Sequence, residues 1–264
     1  MNNTLTRILV GIIGIPVFLI LIIIGGIPFY FLSALIACFA LWEFHTFFIK
    51  KNINSFIFPD IIFCLFLIYA FSYLRPEYIW LCLMYPLMIF TLELFRKNKN
   101  IFNPLVSISG VVYIVLPIIA LNELIKMNES GHLMNYVMVM FILIWTCDTM
   151  SFFGGKLLGK HKLTTISPKK TVEGFICGIL FTIIASFIIM YFNSELLNLK
   201  DALLFGIIIS LVSPAGDIFE SFIKRSVEIK DSSNIIPGHG GILDRFDSLL
   251  FCAPVILIYL KFLR

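Results

Sequence analysis

The chain has 264 residues, 59% of them hydrophobic and only 14% charged, with 28 phenylalanines, a formal net charge of +4 and a mean hydropathy of +0.99. A soluble domain must cover its surface with polar groups, so this composition excludes one. The lack of a strand-like apolar/polar alternation excludes a membrane barrel, which leaves an all-α polytopic integral membrane protein.

Apolar stretches of roughly 20 residues, enough to cross about 30 Å of hydrocarbon, are read at 8–25, 28–49, 56–74, 78–95, 101–125, 133–153, 172–192, 202–220 and 248–263. The first is too long for a secretory signal and another span follows at once, so it is read as a retained helix. The amino-terminal tail and the even-numbered loops carry Arg7; Lys50 and Lys51; Arg96, Lys97 and Lys99; Lys156, Lys160, Lys162, Lys169 and Lys170; and Lys224, Arg225, Lys230 and Arg245. These are 15 of the 20 basic residues, and by the positive-inside rule that side, with the amino terminus, is expected to be cytoplasmic.

As far as residue 140 the spans are joined by short loops that suggest no chemistry. Glu43 and Glu93 lie near the cytoplasmic ends of the second and fourth spans, where they are read as complementing loop bases or reaching for water. His45 and His132 stand alone and are given no role. The six cysteines are scattered through apolar segments, which indicates neither a disulfide framework nor a zinc site. The division expected is an amino-terminal set of scaffold and lipid-facing helices, 1–140, and a carboxy-terminal catalytic region, 141–264, with two cytoplasmic loops.

Within that second region the sixth span ends WTCDTMSFFGG, placing Asp148 inside an otherwise apolar helix, a costly position that marks a site candidate. The following GGKLLGK resembles a phosphate-binding loop, but His161 stands where Ser or Thr is required and the segment leaves a membrane helix rather than a strand, so that reading is rejected. In ISPKKTVEG, Ser167 is read as an N-cap and Pro168 as the first helical residue. Lys169 and Lys170 would then sit in a first turn that is already electropositive, a conflict that a bound phosphate would relieve.

The eighth span ends SPAGDIFESFIKR. If the helix continues past Pro214, Asp217, Glu220, Ser221, Lys224 and Arg225 form one stripe, acidic at membrane depth and basic at the surface. Asp217 can pair there with Ser221 and Glu220 with Lys224. An aspartate in a span costs about 2.5–3.5 kcal/mol, which favours function over a surface pair. Downstream, Gly238-His239-Gly240-Gly241 permits a turn whose N–H groups face a phosphate. Asp244 and Asp247 follow at i and i+3 where the last helix begins, and could share a hard cation with Asp217. An oxygen-only set favours Mg2+ or Mn2+ over zinc.

The motifs Ser221-Phe222-Ile223-Lys224-Arg225, Lys230-Asp231, Pro237-Gly238-His239-Gly240-Gly241 and Asp244-Arg245-Phe246-Asp247 resemble, in sequence and spacing, those of the CDP-diacylglycerol synthases, also called phosphatidate cytidylyltransferases. Trp145 to Asp148, Ser167-Pro168-Lys169-Lys170-Thr171 with Glu173-Gly174, and Gly216-Asp217 with Glu220-Ser221 resemble further blocks of that family. Phe152 and Val172 depart from it, and Lys162 to Ile166 is shorter than usual. The resemblance covers about 145–248 and implies transfer of CMP from CTP to phosphatidic acid, giving CDP-diacylglycerol and pyrophosphate. It also implies Mg2+ or Mn2+ with room for a second cation, an active site at the cytoplasmic face, a homodimer, and no nucleic-acid partner. On the same basis Asp217, Asp244 and Asp247 are the metal set, and Lys224, Arg225, Arg245, Lys169 and Lys170 clamp phosphates. His239, Gly240 and Gly241 form the nucleotide-phosphate turn, while Ser167, Thr171, Glu173, Asp148, Ser221, Lys230 and Asp231 complete the substrate site. The alternatives are a cytidylyltransferase for another lipid phosphate, such as an isoprenoid ether lipid, and an ion-coupled transporter. A transporter would spread its polar residues over both halves.

Overall fold

The computed structural model describes residues 3–73, 81–127, 133–229, 232, 233, 235 and 240–264. Of the expected site residues, Lys230, Asp231 and His239 lie outside these. The helices are α1 (Asn3–Ile24), α2 (Gly26–Ile49), α3 (Ile57–Tyr73), α4 (Leu81–Leu94), α5 (Phe102–Gly110), α6 (Leu116–Lys126), α7 (Tyr136–Leu158), α8 (Val172–Phe192), α9 (Leu199–Ser226) and α10 (Leu243–Ile258). A π-helical turn, Val111–Val115, welds α5 and α6 into one rod, and a second, Tyr259–Leu263, prolongs α10. Among the described residues six of the resulting rods are long and apolar enough to cross a membrane, and three shorter apolar helices accompany them. Among the described residues the only extended pairing is an isolated bridge between Lys162 and Thr171, so the chain is an all-α, polytopic integral membrane protein.

Polar caps mark where the later helices begin. The Asn135 side chain accepts from the Met138 amide at the start of α7, and Thr171 accepts from Gly174 at the start of α8. Asn198 and Asp201 form a reciprocal capping box on α9. Pro214 does not break α9, which runs unbroken to Ser226, more than a turn and a half beyond the expected end at residue 220. The last helix likewise starts at Leu243 rather than 248, which places Asp244 and Asp247 inside its opening turns.

Lipid tails are as apolar as leucine, so membrane helices are held by close packing, and small residues permit it. A Cβ built on Gly154 of α7 would lie 2.5 Å from the Cys177 Cβ of α8, and one on Gly174 of α8 would lie 2.5 Å from the Ser151 carbonyl. The glycine pair of GGKLLGK therefore seats α7 against α8. On the next interface Gly206 of α9 faces the Ile183 Cα at 2.8 Å in the same sense. One buried core joins α1, α2, α6, α7, α9 and α10 around Leu124, Met140 and Phe205. A second joins α2 to α6 around Leu41, Leu67 and Ile118 and receives Leu243 and Leu250 from α10. The last helix thus packs on both halves of the chain.

Asp60 and His45 of the first half have structural roles that their sequence positions did not suggest, whereas Glu93 does meet a loop base as expected, with Arg96 Nη1 3.5 Å from its Oε2. His45 is not isolated: its Nε2 lies 2.8 Å from Asp60 Oδ2, its Nδ1 pairs with Ser55, and the Tyr85 hydroxyl donates to the same aspartate. Histidine and aspartate are 2% and 0% exposed, so this network ties α2, α3 and α4 together inside the protein. Glu93, also buried, accepts from the Asn100 amide at 2.7 Å and from Asn103 Nδ2 at 2.9 Å, closing the turn between α4 and α5.

Candidate active site

The stripe expected on α9 forms because the helix continues past Pro214. Asp217 Oδ1 accepts from Ser221 Oγ at 3.4 Å, and Glu220 Oε2 lies 3.1 Å from Lys224 Nζ. Lys224 then reaches across to α10, where Asp244 Oδ1 is 2.5 Å from the same ammonium. Glu220 is 1% exposed and Lys224 8%, so this triad is a desolvated ion cluster joining the two helices. Asp244 is held further by Ser232 Oγ at 2.6 Å and by the Gly241 amide at 3.0 Å. Arg225 and Arg245 are exposed on the same end, with Arg225 donating to the Ile229 carbonyl.

The second cluster is built around Lys170, which lies 2.8 Å from Asp217 Oδ2 and 3.3 Å from the Pro214 carbonyl. Asp148 of α7 and Asp247 of α10 are close enough for their charges to act on Asp217 and on Lys170. Gly216 makes this convergence possible. A Cβ there would meet the Asp247 carbonyl at 2.6 Å, so α9 and α10 touch backbone to backbone beside Asp217. Asp148 remains exposed although it lies mid-helix, so the acid cluster is not part of a sealed core. Asp244 and Asp247, expected to point the same way, divide instead: Asp244 turns to Lys224 and Asp247 towards Asp217 and Asp148. Glu220 stands between the two groups, within electrostatic range of both aspartates.

The sixth loop corrects the expected helix start. Ser167 to Lys170 is a turn closed by the Lys170 amide on the Ser167 carbonyl at 3.0 Å, with Pro168 in its second position. The cap is Thr171, and α8 starts at Val172. Ser-Pro favours a turn as readily as a helix opening, and cross-loop pairing decides between them. Leu163 donates to Lys170 O at 2.9 Å and Val172 to His161 O at 2.9 Å, which keeps the chain extended up to Thr171. Lys169 and Lys170 therefore precede the helix, and the expected conflict with its dipole does not arise. Glu173 accepts from the Lys160 and His161 amides and pairs with His161 Nδ1 at 2.6 Å, fastening the loop's entry. The loop thus presents Lys170 to α9, while Lys169 stays exposed.

Two residues of the first half join this region and were not expected there. Tyr113, on the π-helical turn, is 9% exposed, packs against Phe219 and Phe251, and has no hydrogen-bond partner for its hydroxyl. It lies within electrostatic range of Glu220, Asp247 and Asp217. A π turn inside an α-helix frequently marks a functional site, but no pattern in the sequence around Tyr113 announces it. The other is Glu43 of α2, whose carboxylate accepts from the Ile242 amide at 2.9 Å and the Leu243 amide at 2.8 Å.

Residues 5–263 match the family described as the cytidylyltransferase family. The chain is 34% identical over 265 residues to the phosphatidate cytidylyltransferase of Bacillus subtilis, covering 96% of each protein. It is 33% identical over 263 residues to that of Staphylococcus saprophyticus, covering 96% of this chain and 98% of the relative. A 128-residue match of 44% identity to the Staphylococcus haemolyticus protein of the same name covers 48% of this chain and 49% of the relative. With nearly its whole length matched, this chain belongs to the cytidylyltransferase family.

Proposed function

We propose that the protein is a phosphatidate cytidylyltransferase, joining CTP and phosphatidic acid to give CDP-diacylglycerol and pyrophosphate. The observation that carries this reading is the meeting, where α7, α9 and α10 converge, of Lys170 and Lys224 with Asp148, Asp217, Asp244, Asp247 and Glu220. Such a site suits a polyphosphate beside a membrane lipid, and the likeness to the Bacillus and Staphylococcus enzymes along nearly the whole chain names the substrates. In the reaction a phosphate oxygen of the lipid attacks the α-phosphorus of CTP. The bond from that phosphorus to the β-bridging oxygen breaks, and pyrophosphate leaves with the electron pair. No side chain needs to become a nucleophile, so the protein's work is to position two anions and offset their charge.

Lys170 and Lys224, now paired with Asp217 and Asp244, are the cations that turn to phosphate when substrate enters. Arg225, Arg245 and Lys169 supply further positive charge from the exposed rim, and Ser221 lies beside Asp217 to orient it. Gly240, with φ of +87°, and Gly241 shape the turn that leads into α10. Ser167, Thr171 and Glu173 hold the loop that presents Lys170. Among the described residues no three of these acids converge on one point, because Lys224 holds Asp244 away from Asp217 and Asp247; the donors are nonetheless all oxygens, the type a hard divalent cation takes. Asp217, Asp247 and, once released by Lys224, Asp244 would hold Mg2+ or Mn2+. Such a cation supplies charge neutralisation for the reacting phosphates.

The test is to incubate detergent-purified protein with phosphatidic acid, magnesium and CTP labelled in the α-phosphate, or separately in the γ-phosphate. The expected result is α-label in a chloroform-soluble lipid and γ-label in pyrophosphate, both abolished by a chelator. Release of γ-label as inorganic phosphate, with no labelled lipid, would overturn the reaction; full turnover in chelator would overturn the cation.

A further inference from the structure

Glu43 lies near the cytoplasmic end of a helix in the amino-terminal half, 200 residues from Leu243 in the chain, yet its carboxylate is completely buried against the start of α10. Its Oε1 accepts from the Ile242 amide at 2.9 Å and from the Ser233 hydroxyl, and its Oε2 accepts from the Leu243 amide at 2.8 Å. No side chain close in sequence caps α10, and the first amides of a helix have no partner within it. Glu43 therefore supplies the cap from another helix, and the positive end of the α10 dipole receives its charge. Among the described residues it forms no ion pair. The turn is shaped to admit it: a Cβ on Gly241 would lie 2.6 Å from both Glu43 carboxylate oxygens.

We propose that Glu43 is a positioning residue for the reaction, fixing Ser233 and the Ile242–Leu243 backbone and with them the placement of Asp244; this rests on the function proposed above. Ser232 and Ser233 on one side and Gly241 and Ile242 on the other converge on the same two acids, Asp244 and Glu43. Ser233 bonds to Glu43 while its neighbour Ser232 bonds to Asp244, and Ile242 bonds to Glu43 while its neighbour Gly241 bonds to Asp244. Glu43 is thus one residue away, on both sides, from the partners that orient Asp244. Without its charge the turn loses its anchor on α2, and Asp244 loses the fixed direction that Lys224 alone cannot impose.

The test uses the full-length protein in detergent with Glu43→Gln and Glu43→Asp. Glu43→Gln keeps size but turns an amide –NH2 towards backbone donors. The expected result is a kcat lower by about ten- to a hundredfold, as for residues that orient ligands rather than touch substrate. The magnesium concentration for half-maximal activity should rise while the KM for phosphatidic acid stays unchanged, and Glu43→Asp should recover part of the loss. Independently of turnover, hydrogen exchange at Ile242 and Leu243 should quicken in Glu43→Gln while α7 and α8 keep wild-type protection. Wild-type kcat and magnesium dependence in Glu43→Gln would overturn the proposal, as would exchange quickened equally throughout the bundle, the mark of a merely structural acid. If the wild-type protein makes no labelled lipid, the proposed function fails, and the exchange experiment still decides whether Glu43 anchors the turn.

Discussion

At the residue scale the two aspartates expected to share one cation sit in different surroundings, and their variants should behave differently. The Asp217 side chain is 42% exposed and pairs with Lys170, whereas Asp244 is 13% exposed and held by Lys224, Ser232 and Gly241. Asp217→Asn should melt like the wild type and lose about a hundred- to a thousandfold in turnover, the scale of one interaction made in the transition state. Asp244→Asn leaves Lys224 facing a single buried acid, so it should lose a similar factor in rate and also be destabilised by up to about 3 kcal/mol. Melting temperatures in detergent beside magnesium titrations of activity separate the two. Near-normal turnover in either variant removes that residue from the site, and equal melting of the pair would mean that the Lys224 bridge contributes nothing. The carboxylates themselves were legible in the sequence because an acid in an apolar span is expensive. The Glu220–Lys224 pair was legible too, from its i,i+4 spacing, whereas Lys170 on Asp217 and Lys224 on Asp244 were not, since they depend on how the loops fold back. Glu43 and His45 were misread for a related reason: each looks isolated along the chain, and the partners that explain them come from other helices.

At the scale of elements, hydropathy located each described apolar helix, six long and three shorter, and the errors fell at the ends, where local signals compete. Ser167-Pro168 reads equally well as a helix opening and as a turn, and only the pairing of Leu163 with Lys170 and of Val172 with His161 selects the turn. The π-helical turn that carries Tyr113 leaves no mark in the hydropathy of the fifth span at all. Helix contacts are more readable, because a glycine in a membrane helix implies close approach even when its partner is unknown. Gly216 gives the sharpest case. Gly216→Ala puts a Cβ 2.6 Å from the Asp247 carbonyl, and backbone cannot yield as a flexible side chain can. The variant should therefore lose about 1–3 kcal/mol through overpacking and lose activity as Asp217 and Asp247 are forced apart. Gly14→Ala, with nothing within 4 Å of the added carbon, is the control and should change neither. Unchanged melting and turnover in Gly216→Ala would show that α9 and α10 are not in backbone contact beside the acids.

For the whole molecule, the arrangement of charge at the two ends predicts which end faces the cytoplasm. At one end the even-numbered loops touch one another: Lys51 pairs with Glu228 at 2.5 Å, and Arg96 donates to the Asn54 carbonyl and covers the Phe56 ring. The Lys51 ammonium holds the Glu228 carboxyl below the usual carboxylate range, although so exposed a pair adds little to stability. The acid and lysine clusters of α7, α9 and α10 open at that same end. At the other end the bases are fewer, and those described are occupied by acids or carbonyls. Arg264 lies 2.9 Å from Asp201, which also accepts from Tyr259, Glu123 takes both Lys126 and Lys261, and Lys200 donates to the Leu263 carbonyl. An excess of lysine and arginine in the connecting loops, whatever acids they meet, orients a membrane protein with that side in the cytoplasm. The even-numbered loops and the proposed active site should therefore lie where CTP is available. The measurement is thiol labelling in a cysteine-free background with single cysteines at exposed positions, Lys99→Cys and Lys160→Cys at the basic end and Glu195→Cys at the other. An impermeant reagent should modify Lys99→Cys and Lys160→Cys in inverted vesicles but not in intact cells, and Glu195→Cys in intact cells but not in inverted vesicles. The reverse pattern would place the carboxylates on the outer face, away from the nucleotide, and the reaction proposed for this site could not proceed there.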